Sequence, residues 1–374
     1  MKKTILLFLC VLILSGCSTS IKEETPKKSD SEQLEEKTIQ NKKLIKNDTC
    51  SKLSKDFLDK SLWDDYDRLY GALKESQFKV RLNSNPTYVS RIFDAVTFDH
   101  PELFWVDYDY TSMPMENESY TIVYPTYTYE GNAIEETQKQ VDAVVNPLIK
   151  KMEKLPNDYE KVKAVYDYVI DRTEYIDKEK NNQNMLSVLL DGEAVCAGYS
   201  KSMKYLLDKL SIPNAILLVK VTKEPDEYHV INMVQMDGEY YYMDPTFGDI
   251  KIEKSYANYR YAYFGMTSKE MLNIYTPQQE YKKTSAVKDS YFYQEDAYME
   301  SYDENKIISL IQRNLKDPNP CLFLKCRNKE VYEQTKETMD SQHIFDLFQA
   351  AGYSPSQFQY YYLDDTYCFF INYW

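Results

Sequence analysis

The sequence predicts an α+β fold, with helices and antiparallel strands in largely separate blocks, and three observations lead there. Apolar residues recur at helical spacing over 53–73, 133–152, 158–170 and 196–210. Asp237-Gly238 is a strong two-residue hairpin signal, flanked by β-formers at His229–Met236 and Glu239–Met243. A strand pair around Asp364-Asp365 closes the chain over Gln357–Trp374.

The chain begins with a stretch that reads as a targeting segment, residues 1–17. Lys2 and Lys3 precede an apolar run from Ile5 to Leu14, too short for a lasting transmembrane helix. Leu14-Ser15-Gly16-Cys17 then resembles the lipobox of bacterial lipoproteins, which implies cleavage before Cys17, acylation of that residue and an extracytoplasmic address on the cell membrane. A plain secretory signal is the simpler alternative. Residues 18–48 are mostly Lys, Glu, Ser, Thr and Asn without an aromatic residue, so they are expected to form a flexible tether. About thirty such residues span roughly 30 Å root-mean-square.

With 374 residues the chain has room for two or three domains. Its formal charge of -14 becomes -16 once Lys2 and Lys3 leave with the leader. That balance argues against a nucleic-acid partner and against electrostatic attachment to anionic lipid, leaving the N-terminal lipid as the expected membrane contact.

Residues 49–130 are expected to be an N-terminal region of helices and a strand. Phe57, Leu58, Leu62, Trp63, Tyr66, Leu69, Tyr70 and Leu73 make one helical face, and Tyr88–Val96 makes a second helix. Pro101 followed by Leu103-Phe104-Trp105-Val106 reads as a turn entering a strand. His100 beside it is expected to be structural, with Asp99 and Glu102 as turn and surface groups. Ser119–Tyr129 alternates as a strand.

Residues 131–284 carry the chemistry. Ala133–Met152 is a predicted helix, and Pro156-Asn157-Asp158 starts another, with Val162, Val165, Tyr166, Val169 and Ile170 on its apolar face. A third helix, opened by Asp191 and Gly192, buries Tyr199, Met203, Leu206, Leu207 and Leu210 and places Cys196 in its first turn. There the helix dipole and unpaired N–H groups favour a thiolate. Ala215–Val221 reads as a strand buried on both faces. If Asp237 and Gly238 form the turn, Ile231 lies opposite Asp244. His229 and Asp244 then project from one face a diagonal step apart, within reach of each other. Tyr256–Met266 is read as a tyrosine-rich strand, and Thr267-Ser268-Lys269-Glu270 as a capping box. Tyr240, Tyr241 and Tyr242 could stack on a sugar or peptide, although half-buried strand positions are the commoner use.

Residues 285–374 are expected to form a small α+β domain without evident chemistry. Asn305–Asn314 and Glu330–Ala350 read as helices and Cys321–Cys326 as a strand, with His343 packed among Ile344, Leu347 and Phe348.

Cysteine, histidine and aspartate in this order have the logic of a nucleophilic triad, although each residue alone is more often structural. Gly192-Glu193-Ala194-Val195-Cys196-Ala197-Gly198-Tyr199, His229-Val230-Ile231-Asn232 and Tyr242-Met243-Asp244-Pro245-Thr246-Phe247 resemble three blocks of the transglutaminase-like superfamily. The resemblance implies a papain-like core, with a cysteine helix packed on an antiparallel sheet. It also implies Cys196 as nucleophile, His229 as base and Asp244 as orienter. Ile231 stands where that family often has an aromatic residue. Pro101-Glu102-Leu103-Phe104-Trp105 is similar to a block of secreted bacterial members.

The expected function is therefore that of a membrane-anchored cysteine enzyme acting on amides of a protein or cell-wall peptide through a thioester, by hydrolysis or by cross-linking. The competing class is a non-catalytic surface binding or adhesion lipoprotein that retains the fold. No cofactor is expected, and metal binding has little support, because His100, His229 and His343 are widely spread and Cys321-x4-Cys326 lacks a second ligand pair. After the leader and Cys17, five cysteines remain: Cys50, Cys196, Cys321, Cys326 and Cys368. An odd number leaves at least one free or paired between molecules, and Cys368 could bridge to Cys321 or Cys326.

Overall fold

The structure, a computed structural model, describes residues 51–115, 120–177, 182–249 and 254–374. The expected leader with Cys17, the tether and Cys50 lie outside the described residues. No helix among the described residues is long and apolar enough to cross a membrane.

In the N-terminal region, α1 (Leu53–Asp56), α2 (Trp63–Lys74) and α3 (Val89–Asp99) accompany a three-stranded antiparallel sheet. Its strands β1 (Val80–Leu82), β2 (Val106–Pro114) and β3 (Thr121–Tyr127) run in the order β1-β3-β2. The continuous helical face expected over 53–73 is broken at Phe57–Asp59, before a 3-10 turn at Lys60–Leu62. Strand β1 escapes a period-based reading because three residues show no period. Leu103, Phe104 and Trp105 are buried in the turn, ahead of the strand they were expected to begin.

Asp99 corrects its expected surface role, whereas Glu102 sits half-buried in the expected turn. Asp99 is fully buried and accepts from Ser54 N and Lys55 N, each at 2.9 Å, and from the Tyr66 hydroxyl at 3.0 Å, tying α1 and α2 to the end of α3. Glu102 lies 2.9 Å from Nδ1 of buried His100, whose ring stacks on Tyr70 with centroids 3.8 Å apart.

Two helices follow, α4 (Asn132–Met152) and α5 (Asp158–Arg172), the second capped by Asn157. Beyond β4 (Glu174–Tyr175) a single π-helical turn, Ser187–Asp191, ends at Gly192 with φ +78°, a left-handed conformation that suits glycine. Asp191 and Gly192 thus close one turn and do not open the next helix. After β5 (Glu193–Ala194), extended Val195 is the N-cap of α6 (Cys196–Lys209), with no side-chain cap.

Helix α6 is the hub of the fold, buried from Cys196 to Asp208. Burying its Tyr199, Met203, Leu206 and Leu207 contributes roughly 2 kcal/mol each. Its buried cation Lys204 is satisfied by Asp208 at 2.9 Å and by the Ser51 carbonyl at 2.9 Å. Against α6 lies a five-stranded antiparallel sheet with the order β10-β6-β7-β8-β9. Its strands are β6 (Asn214–Val221), β7 (Glu224–Met236), β8 (Glu239–Met243), β9 (Phe264–Met266) and β10 (Tyr275–Pro277); α7 (Pro245–Gly248) follows β8 and α8 (Ser268–Ile274) precedes β10.

The hairpin has the expected register: Met236 faces Glu239 and Asn232 faces Met243, and Asp237 and Gly238 take positive φ of 47° and 88°. The capping box at Thr267 and Glu270 is present. Tyr256–Met266 differs from its reading as a strand, since a 3-10 segment spans Lys254–Tyr263 and only Phe264–Met266 is strand. The tyrosines are placed by ring contacts on several sides, Tyr261 stacking on Tyr291 at 3.8 Å and Tyr259 meeting Phe370 at 5.6 Å. Tyr241 and Tyr242 are fully buried, so neither offers a face to a ligand.

At the C-terminal end, α9 (Tyr291–Gln294) and β11 (Tyr298–Met299) lead into α10 (Glu304–Asn314) and β12 (Cys321–Cys326), followed by α11 (Lys329–Asp340) and α12 (His343–Ala350). Strands β13 (Phe358–Leu363) and β14 (Cys368–Tyr373) complete a sheet with the order β11-β12-β14-β13. The single helix expected over 330–350 is split at Ser341-Gln342, where Ser341 is extended. His343 is half-buried, and its ring lies 3.0 Å from both Asp346 and Glu304, so polar partners hold it as well as the helix neighbours. Cys321, Cys326 and Cys368 are buried free thiols, so neither of the two possible bridges from Cys368 is formed. Cys368 faces Lys325 across the ladder, and Cys326 donates to Thr335 instead.

Candidate functional site

Strand β7 carries His229 in register with Val219 of β6, in the middle of the sheet, and the imidazole is 1% exposed. Its Nε2 lies 2.7 Å from Oδ2 of buried Asp244. This is the diagonal contact that the hairpin register predicts. Asp244 ends β8 and caps α7, with Oδ1 accepting from Thr246 N at 2.9 Å and Phe247 N at 3.0 Å. Pro245 at the first helical position suits that cap, because its missing N–H would have no partner there.

Two tyrosines complete the surroundings of Asp244. The Tyr275 hydroxyl, from β10, donates to the same Oδ2 as His229, and Tyr166, from α5, donates to the Asp244 carbonyl at 3.1 Å. Burial, reinforced by the Asp244 charge, holds both phenols well above the usual range, so they remain donors. Phe247 and Tyr275 lie roughly parallel to the imidazole, with centroids 5.1 and 5.8 Å away. Sequence reasoning missed Tyr166, Phe247 and Tyr275. Tyr166 falls by its spacing on an apolar helix face, which hides the role of its hydroxyl, and Tyr275 carries no signal because a lone tyrosine after a short helix has no motif.

Cys196 stands at the first position of α6 and is 4% exposed. It belongs to a small apolar cluster with Phe98, Ala197, Ile216 and Val230, separate from the main core, and Val230 is the chain neighbour of His229. Helix and strand are fastened there by Ser200 Oγ donating to Val230 O at 3.2 Å and Asn232 Nδ2 donating to Ser200 O at 3.0 Å. Gly198 is required by close approach, since a Cβ there would lie 2.5 Å from Asn182 O and 2.9 Å from Ala194 Cβ. The fold thus brings His229 and Asp244 into direct contact and sets Cys196 in a cluster with Val230, the residue that follows His229 on β7. Among the described residues, no group of three or more His, Cys, Asp or Glu side chains is gathered to hold a metal ion.

Residues 146–245 match the transglutaminase-like superfamily, and this segment holds Cys196, His229 and Asp244. The α+β fold with a transglutaminase-like core is therefore that expected from the sequence. Similar solved structures include a transglutaminase, 17% identical over 47% of this chain and 52% of its own, with a TM-score of 0.26. Another, described as a proposed cysteine protease of Cytophaga hutchinsonii, is 17% identical over 37% of this chain and 61% of its own, at 0.24. A third, described as a proposed protease of Parabacteroides distasonis, is 16% identical over 35% of this chain and 29% of its own, at 0.22. The chain thus spans less than two thirds of each of these structures. No curated protein matches it.

Proposed function

We propose that the protein is a cysteine enzyme acting on an amide of a protein or cell-wall peptide, held by a lipid on Cys17 at the outer face of the bacterial cell membrane. Cys196 attacks the carbonyl, His229 takes the thiol proton and returns it to the leaving amine, and Asp244 orients the imidazole. Water or a second amine then resolves the thioester, giving hydrolysis or cross-linking. The observation that carries this reading is the 2.7 Å contact between His229 Nε2 and Asp244 Oδ2, on the strand whose Val230 shares an apolar cluster with the first residue of α6. With Nε2 facing the carboxylate, Nδ1 is the nitrogen assigned to the thiol proton.

Alkylation of Cys196 with iodoacetamide across pH tests it. An activated thiol reacts well below pH ~8.5 and loses that advantage in His229→Ala; a rate that follows an ordinary thiol near pH ~8.5 and is unchanged by the substitution would refute the pairing. One observation favours a second reading, a surface binding protein that keeps the fold: Cys196 and His229 are only 4% and 1% exposed. Cys196 that resists alkylation until the protein unfolds would support that alternative.

A further inference from the structure

Beside the Cys196 cluster, a narrow open groove with a cavity volume of ≈ 40 Å³ runs between α1, α3 and β6. Phe57, Leu58, Ala95 and Leu218 supply its apolar walls, and Ser54, Asp94 and Arg91 are among its polar lining. It adjoins the candidate site through two residues: Leu218 packs on the Cys196 cluster, and Phe98, in that cluster, lies one helical turn from Asp94.

Two of the polar groups have unmet demands. The Asp94 carboxylate is half-buried and forms no hydrogen bond or ion pair among the described residues. Lys201 acts on it electrostatically, but its Nζ lies over the Tyr108 ring, 4.2 Å from the centroid. Ser54 is 3% exposed and its Oγ has no partner, although its backbone N–H is engaged by Asp99. Arg91 is exposed, so water already satisfies its guanidinium. The half-buried anion therefore gains more from a counter-ion than the solvated cation does.

We propose that this groove is a subsite for a primary ammonium on an aliphatic stem, the side chain of a lysine or another diamino acid, with Asp94 and Ser54 as its polar partners. Apolar walls leading to an acceptor pair match a ligand that is apolar along its length and cationic at its tip. Because the groove adjoins Cys196, its placement as a substrate subsite rests on the enzymatic reading above. Binding itself does not.

Two experiments keep the failures apart. With Cys196→Ala, which removes the chemistry, calorimetric titration with N-acetyl-lysine methylamide and with its norleucine analogue should show at least tenfold tighter binding of the lysine compound. That preference should be lost in the added variants Asp94→Asn and Ser54→Ala. Equal affinities for the two ligands, or a preference that survives Asp94→Asn in protein whose melting curve stays cooperative, would overturn the subsite whatever Cys196 does. In protein that retains Cys196, Asp94→Asn should raise KM at least tenfold for a lysine-bearing acyl donor if the ammonium belongs to the donor, or for a diamine acceptor, whose second, non-attacking nitrogen stays protonated, if it belongs to the acceptor. A change in neither, with activity intact, would also overturn it.

Discussion

The unpaired carboxylate of Asp94 should carry a cost that depends on pH. Burial, only partly offset by Lys201, pushes its pKa up from the ordinary 3.8 to about 7. Between roughly pH 4 and 7 the folded protein holds a proton there that the unfolded chain has released, so the stabilising contribution is complete at low pH and is lost as pH rises through about 7. A shift of about three units corresponds to at most ~4 kcal/mol. Because the groove is open to water, screening should leave about 1–2 kcal/mol. Asp94→Asn removes the charge at nearly constant shape. It should therefore stabilise the protein by about 1–2 kcal/mol at pH 8 and by almost nothing near pH 4. Urea denaturation of both proteins at matched pH values gives that difference, in which every other titration cancels. A variant that is no more stable than wild type at pH 8, or equally stabilised at pH 4, would show that the carboxylate is solvated and the groove is not the environment argued above.

Gly198→Ala should destabilise by more than ~2 kcal/mol, through the clash with Asn182 O and Ala194, whereas Gly71→Ala in α2, with open space around it, should gain up to ~1 kcal/mol; thermal melts compare them. Glu270 of α8 and Lys325 of β12 form a 2.7 Å ion pair at 3% and 1% exposure, so Glu270→Gln should cost ~3–5 kcal/mol by stranding a buried cation, while an apolar replacement of both should recover most of it in urea titrations. Burial pushes the Cys321, Cys326 and Cys368 thiols up to about 12, so iodoacetamide at pH 8 should leave them unlabelled until the protein unfolds, as mass spectrometry would read. Tyr275→Phe should slow alkylation of Cys196 about tenfold while leaving the melting temperature within a few degrees, because it removes one charge-assisted hydrogen bond worth ~1.5–3 kcal/mol from Asp244; an unchanged rate would show that His229 is oriented without it.

What the sequence disclosed follows from the range of the forces involved. The register of β7 and β8 was legible because a two-residue turn fixes it locally, and α5 because Asn157 and its apolar spacing mark both start and face. Asp99 was misread for the opposite reason. A charged residue at a helix end beside Pro101 looks like a surface group, and only distant α1 and α2, folding over it, supply the donors that make burial tolerable. Tyr256–Met266 was misread because ring-to-ring contacts with Tyr291 and with β13 and β14 set its conformation, and those partners lie 30 or more residues further along the chain. Gly192 was read as opening α6, whereas its left-handed conformation ends the preceding turn and Val195 caps the helix.

Asp244 joins these two kinds of information. Its Oδ1 is committed to the backbone of α7, a contact that Asp-Pro-Thr-Phe alone implies, while its Oδ2 is divided between His229 and a tyrosine from β10. With both oxygens engaged the carboxylate cannot turn, and the rings of Phe247 and Tyr275, themselves 5.8 Å apart, lie beside the imidazole it faces. The segment matching the superfamily ends at residue 245, thirty residues before Tyr275. The motif residues therefore identify the pair, but the orientation of that pair depends on chain outside the matched segment. A fragment ending at residue 245 would retain Cys196, His229 and Asp244 while lacking β9, β10 and the hydroxyl that completes the Asp244 shell.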